Sequence, residues 1–142
     1  MKKRHSAKRR RWEGPKFEKN GMNQWLWRVL HRENFKLGRN VKIGTFTIID
    51  AHKGVEIQDN VEISFGCVIL SYSSIDKKGG KVILKENCKI GANSVIMPGI
   101  KIGRNAVIGA LSFVNQDIPA DEVWAGTPAK FIKNIILKNQ GD

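Results

Sequence analysis

The chain has 142 residues, of which 41% are hydrophobic and 27% charged, and it carries a net charge of +12 at pH 7. That is enough apolar material for one packed domain, which excludes a wholly disordered chain. No apolar run nears the roughly 18 residues of a membrane span, and the charged N-terminus lacks the apolar stretch of a secretory signal.

The charge is not spread evenly. Residues 1–20 hold nine Lys/Arg against Glu13 and Glu18, a net +7, and the remaining sixteen Lys/Arg face eleven acids, a net +5. Residues 1–21 therefore read as a solvated basic tail or an appended sequence, with Met22 as a second candidate start. The other reading is weak contact with a polyanion or an anionic membrane surface through residues 1–20. Residues 22–33 place Trp25, Leu26, Val29 and Leu30 at helical spacing, with Asn23 as a cap. The expectation for 22–36 is an amphipathic helix and lead-in closing one end of the domain.

From Leu37 onward the chain repeats every six residues. Aliphatics recur at Leu37, Ile43 and Ile49, at Ile57, Ile63 and Ile69, and then without interruption at Leu84, Ile90, Ile96, Ile102, Ile108 and Val114. Four residues beyond each of the last six stands a second inward candidate: Cys88, Ser94, Ile100, Ala106, Ser112 and Ile118. An α-helix would return at three and four, and a flat strand at two. A period of six fits a short strand followed by a sharp corner, with three such sides closing one coil. The predicted fold is an all-β solenoid, a left-handed parallel β-helix of about four coils over 37–119, flanked by short helices. The coils run 37–56, 57–83, 84–101 and 102–119. The first two carry extra residues around His52–Gly54 and Ser71–Lys81, both at the third side, so both insertions project from one edge of the prism.

Beyond Pro119, the turn at Gly126-Thr127-Pro128 leads to Phe131, Ile132, Ile135 and Ile136, an apolar helical stripe. The expectation for 120–142 is a loop and a helix packed on the solenoid. Cys67 and Cys88 both fall at inward positions, where a thiol is a small apolar filler and an inert one. Two cysteines make no disulfide framework, which points to a reducing, cytoplasmic setting, peripheral to a membrane if the tail touches one.

The run IGANSVIMPGIKIGRNAVIGALSFVNQDIPADEVWAGTPAKFI, residues 90–132, resembles the hexapeptide-repeat acyltransferases, the maltose and galactoside O-acetyltransferase-like group in particular. The resemblance covers residues 37–133. It implies a homotrimer with acetyl-CoA as co-substrate, lying in the groove between neighbouring prisms. Ala92 and Ala110 match the corner turns along the pantetheine arm, Asn115 and Gln116 match the polar pair before the final DIP, and Lys130, with Lys133 nearby, matches the cation facing the CoA phosphates.

Acyl transfer needs a base near the acceptor, and histidine suits that role at neutral pH. The family's loop histidine falls at Ser74 here, a departure from the pattern. Of three histidines, His5 is in the tail and His31 in the N-terminal segment. His52 lies on the edge that carries the Ser71–Asp76 loop, so it is the candidate base, with Asp76 or Asp50 orienting it. Ser71, Tyr72, Ser73 and Ser74 are the candidate acceptor-binding residues. A zinc hydratase needs about three histidine ligands with coordinated spacing, and the coils hold only His52, so no metal is expected. The reading is direct O-acetyl transfer to a sugar or surface-glycan precursor in polysaccharide biosynthesis. An N-acyltransferase on a nucleotide-linked amino sugar and a non-catalytic β-helix trimer remain alternatives.

Overall fold

The computed structural model describes residues 11–136. The first ten residues of the predicted basic tail, with His5, lie outside that range, as do residues 137–142. The described chain winds into a three-sided prism of parallel sheets. The first sheet stacks Phe35–Leu37, Val55–Ile57, Val82–Leu84 and Lys101–Ile102. The second stacks Lys42–Ile43, Glu62–Ile63, Lys89–Ile90 and Val107–Ile108. The third stacks Arg28–Leu30, Ile48–Asp50, Val68–Leu70, Val95–Ile96 and Phe113–Val114.

The hexad aliphatics fall in three columns, each aliphatic opposite the next in backbone register. Leu37, Ile57, Leu84 and Ile102 form the first column. Ile43, Ile63, Ile90 and Ile108 form the second. The third runs Ile49, Ile69, Ile96, Val114, and Val29 extends it downward by one coil. Every expected second inward residue, from Cys88 to Ile118, is buried. The column Thr47, Cys67, Ser94, Ser112 brings polar groups inside, and each is satisfied there. The Thr47 hydroxyl donates to the Ser64 carbonyl (3.0 Å), the Ser94 hydroxyl to that of Gly109 (3.2 Å), and Cys67 Sγ contacts the Gly91 carbonyl at 3.2 Å. Corner carbonyls that the sheets leave unpaired thus find partners inside the prism.

Two corners turn through the left-handed region by different means. Between the first and second sheets, Asn40, Asn60, Asn87 and Asn105 have φ between +55° and +62°, a conformation asparagine tolerates better than most residues. Between the second and third sheets the positive-φ residues are Leu26, Phe46, Gly66, Asn93 and Leu111.

Neither flanking helix forms; the only helical element among the described residues is the 3-10 turn Arg32–Asn34. Arg28–Leu30 pairs instead with Ile48–Asp50. Trp27 and Val29 point inward by the two-residue alternation of a strand, leaving Trp25 and Leu26 exposed. At the other end Glu122–Gly126 pairs parallel with Val107–Ile108, and Ala129–Asn134 returns antiparallel to it. Phe131, Ile132 and Ile136 stay exposed rather than forming a buried stripe. The physical reason is common to both ends: a solenoid leaves unpaired strand edges at its ends, and a further strand satisfies backbone groups that a helix would leave bare.

Candidate functional site

Both insertions do project from one edge, the corner between the third and first sheets. The longer one is a hairpin in which Tyr72–Ser73 pairs antiparallel with Lys78–Gly79. Its root is fixed by Ser71, which is fully buried. The Ser71 hydroxyl donates to the Asp50 carbonyl (2.7 Å) and accepts from the Lys53 backbone N–H (2.8 Å). Ser73 is also buried, and its hydroxyl accepts from the Asp76 N–H at 3.4 Å. These two serines are consumed by the architecture; of the four expected acceptor-binding residues, Tyr72 is half-buried and Ser74 exposed. Burial is the reason: a hydroxyl closed inside the root of a hairpin has no face left for a ligand.

His52 is exposed at this corner. Its ring stacks on that of His31, with centroids 4.7 Å apart and planes 21° from parallel, and meets Tyr72 edge-on at 5.0 Å and 74°. The expected carboxylate support takes a different form. Asp50 Oδ1 accepts from the His52 backbone N–H (3.1 Å), while Asn34 Nδ2 donates to the His52 carbonyl (3.1 Å). Asp50 and Asn34 therefore fix the backbone, and the imidazole is held between His31 and Tyr72. Beside the ring lies a cavity of about 420 Å³ whose lining includes Lys36, Lys53 and Lys81.

His31, which a helical N-terminal segment would have carried away from the site, stands in it. It sits at φ +59°, an uncommon backbone state for a side chain of its size, with Nδ1 3.6 Å from a Glu33 carboxylate oxygen. The hexad register holds a signal for this placement. His31 directly follows strand Arg28–Leu30 as Ala51 follows Ile48–Asp50, and the Ala51 N–H donates to the Leu30 carbonyl (3.0 Å). Extending the register one coil down from Ile49 to Val29 puts His31 at the same corner.

The expected CoA residues lie elsewhere on the prism. Ala92 and Ala110 occupy successive coils at the corner between the second and third sheets, where the Leu111 N–H donates to the Ala92 carbonyl (2.8 Å). A Cβ on Gly91 would collide with the backbone of Ala110, so position 91 itself admits no side chain. Lys130 is exposed on the terminal ribbon opposite Ala125, and Lys133 opposite Val123. Asn115 and Gln116 are exposed at the hairpin corner two coils above the hairpin root, with Gln116 Nε2 3.5 Å from the Ala129 carbonyl. Ala92 and Ala110 are thus small residues on a corner that also carries Phe46, Phe65 and Leu111. Within one chain, however, the His52 corner and the Ala92–Ala110 corner are different edges of the prism.

The third sheet lies between those two edges, and its outer side is apolar. Above Arg28 in the lowest coil, Ile48, Val68, Val95 and Phe113 stand in register along it. The matching outward column of the first sheet reads Lys36, Glu56, Ile83, Lys101, and that of the second Lys42, Glu62, Lys89, Val107. Phe46, Phe65 and Leu111 continue the apolar side along the adjoining corner, at 71%, 64% and 69% exposure.

The two cysteines are free and buried. Burial pushes the Cys88 thiol up to about 12 and also raises that of Cys67, against lowering by the backbone groups of Ser94 and Asn93. Among the described residues no group of three or more His, Cys, Asp and Glu side chains gathers to hold a metal, and no helix is long and apolar enough to cross a membrane.

Comparison with known proteins agrees with this architecture. Residues 81–116 match the model of the bacterial transferase hexapeptide, six repeats. YvoF of Bacillus subtilis (strain 168), provisionally named an acetyltransferase, is 30% identical over 116 residues, 79% of this chain and 66% of that protein. The 2,3,4,5-tetrahydropyridine-2,6-dicarboxylate N-acetyltransferase of Staphylococcus aureus (strain JH9) is 40% identical over 74 residues, 52% of this chain and 30% of the enzyme. The solved structure of a galactoside acetyltransferase in complex with coenzyme A superposes with a TM-score of 0.68 at 29% identity, covering 78% of this chain and 59% of that one. The chain thus spans less than two-thirds of the length of each. With its hexad columns in unbroken register and a matching family model over the most regular coils, the chain belongs to the hexapeptide-repeat family.

Proposed function

We propose that the protein is an acetyl-CoA-dependent O-acetyltransferase that acts as a homotrimer on a hydroxyl of a sugar or surface-glycan precursor. The observation that carries the reading is the exposed imidazole of His52, held between His31 and Tyr72 at the mouth of a cavity. Acetyl-CoA supplies the acetyl group as a thioester. His52 takes the proton of the acceptor hydroxyl as its oxygen attacks the thioester carbonyl, and returns that proton to the departing sulfur. The proton taken up is the proton given back, and no covalent enzyme intermediate is needed. Cys67 and Cys88 are no alternative nucleophiles, since burial keeps both as thiols. Lys130 and Lys133 face the CoA phosphates, and Ala92 and Ala110 leave room for the pantetheine arm. The reaction belongs in the cytoplasm and in polysaccharide biosynthesis.

Trimeric assembly rests on the apolar side of the third sheet. Leu26, Phe46 and Leu111 carry bulky side chains at φ near +60°, where the neighbouring corner uses asparagine. Such a residue costs roughly 1–2 kcal/mol in backbone strain, and its exposure in a lone chain adds an unfavourable hydration term. Covering by a neighbouring prism offsets both. It also brings the His52 edge of one chain toward the Ala92–Ala110 edge of the next, which one chain alone keeps apart.

The N-acetyltransferase relative supports a second reading, in which the acceptor atom is an amine and the same base serves. Calorimetry with acetyl-CoA, followed by a screen of sugar and amino-sugar acceptors, tests both. The expected outcome is micromolar-range binding that weakens in Lys130→Ala and survives in His52→Ala, with turnover in His52→Ala down by about 10²–10⁴-fold. Absence of binding at millimolar acetyl-CoA would sink the transferase reading. Unchanged turnover in His52→Ala would move the base to His31.

A further inference from the structure

We infer that the cavity beside His52 is an anion subsite, so that the acceptor carries a phosphate or carboxylate close to the group that is acetylated. The acceptor part of this inference rests on the transferase reading above; the anion site itself does not.

Three lysines converge on the cavity from three places in the fold: Lys36 from the strand Phe35–Leu37, Lys53 from the short insertion, and Lys81 from the hairpin's return. Two carboxylates share this setting: Glu33 lines the cavity itself, and Glu56 engages Lys81, one of the three lysines. Glu56 pairs with Lys81 at 3.7 Å and Glu33 approaches His31 at 3.6 Å. Lys36 and Lys53 have no carboxylate within 4.0 Å among the described residues. Like charges drawn into one concavity repel, and the walls of a cavity focus their field outward toward whatever enters.

The stems of Lys53 and Lys81 lie against neighbouring backbone, and that of Lys36 is exposed. The Lys53 backbone is tied to Ser71 Oγ at 2.8 Å, and its ammonium stands 5.9 Å from the centre of the Tyr72 ring. A Cβ on Gly79 would come within 3.0 Å of Lys53 Cγ and 3.2 Å of Tyr72 Cδ2, so the hairpin lies directly against that stem. Gly54, at φ +101°, lies against the Lys81 stem, where a Cβ would be 3.4 Å from Cγ. Asn34 adds a side-chain amide held against the His52 carbonyl. A lysine whose stem is held by packing presents its charge with less entropy to lose on binding, and lysine binds phosphate or carboxylate as a point charge. About 420 Å³ accommodates such a group together with part of a sugar ring.

The test uses the full chain and needs no known acceptor. Inorganic phosphate and, separately, acetate are titrated at fixed pH, with ionic strength held constant by sodium chloride, while the His52 ring signal is followed by NMR. That signal is assigned by its loss in His52→Gln. The expected result is a saturable shift that persists with saturating acetyl-CoA and is at least tenfold weaker in Lys36→Gln/Lys53→Gln. The stronger of the two anions identifies the acceptor's charged group. A shift that does not saturate, or an identical curve in the double variant, overturns the subsite. Loss of the shift when acetyl-CoA is added assigns the anion to the co-substrate and overturns the acceptor inference. Acetyl-CoA calorimetry fails or succeeds independently of this titration, so the two conclusions are separable.

Discussion

Individual side chains in this prism are sorted by which side of a two- or three-residue strand they occupy. Cys67 and Cys88 illustrate the inward case: one stands in a column with Thr47, Ser94 and Ser112, the other in a column with Val41, Val61 and Ala106. Both thiols titrate above their ordinary value because an anion inside the prism would lose its hydration, Cys88 reaching about 12. A raised thiol pKa means the reactive thiolate is absent at neutral pH and remains scarce at pH 8. A disulfide exchange reagent at pH 8 is therefore expected to label neither residue in the native protein and both in guanidinium. Fast stoichiometric labelling of the native protein would contradict the burial. Ser71 is the corresponding case at the site, where spacing suggested a ligand-binding hydroxyl and burial made it a structural latch.

At the scale of elements, corners decide more than strands. The strands of the coils are two or three residues long, too short to be specified by propensity, and they are held by register with the coils above and below. Corner stacking is correspondingly strict. Gly91→Ala would drive a Cβ into the Ala110 backbone, with Ala110 Cα only 2.7 Å away. The expected cost is about 1–3 kcal/mol, read as a lower urea midpoint. Gly14→Ala, whose Cβ would meet only a Trp12 side chain at 3.7 Å, should leave that midpoint in place. The coils and both insertions were legible because a six-residue period repeats often enough to fix its own phase. The end segments were not. Four apolar residues such as Trp25, Leu26, Val29 and Leu30 fit a helical stripe as well as a strand, and the unpaired edge that settles the matter belongs to another coil. His31 was missed for the same reason, since its place at the site depends on that extra coil.

For the whole molecule, the unequal faces of the prism lead to a direct test. If the third sheet is the assembly face, Phe65→Glu with Val68→Glu should yield a monomer of 16.0 kDa by sedimentation, folded but inactive, while the parent protein sediments at about three times that mass. A parent protein that is itself a 16.0 kDa monomer would refute the assembly and the composite site with it. By itself, the sequence determined the solenoid, its coils from Leu37 onward, the edge that carries both insertions and the family, because inward and outward positions alternate on a fixed period. Only the tertiary structure decided that the ends are strands, that Ser71 and Ser73 are buried, and that His31, His52 and Tyr72 form one stack. Those outcomes depend on which coil lies against which, and on the hydrogen bonds that a neighbouring coil supplies or withholds.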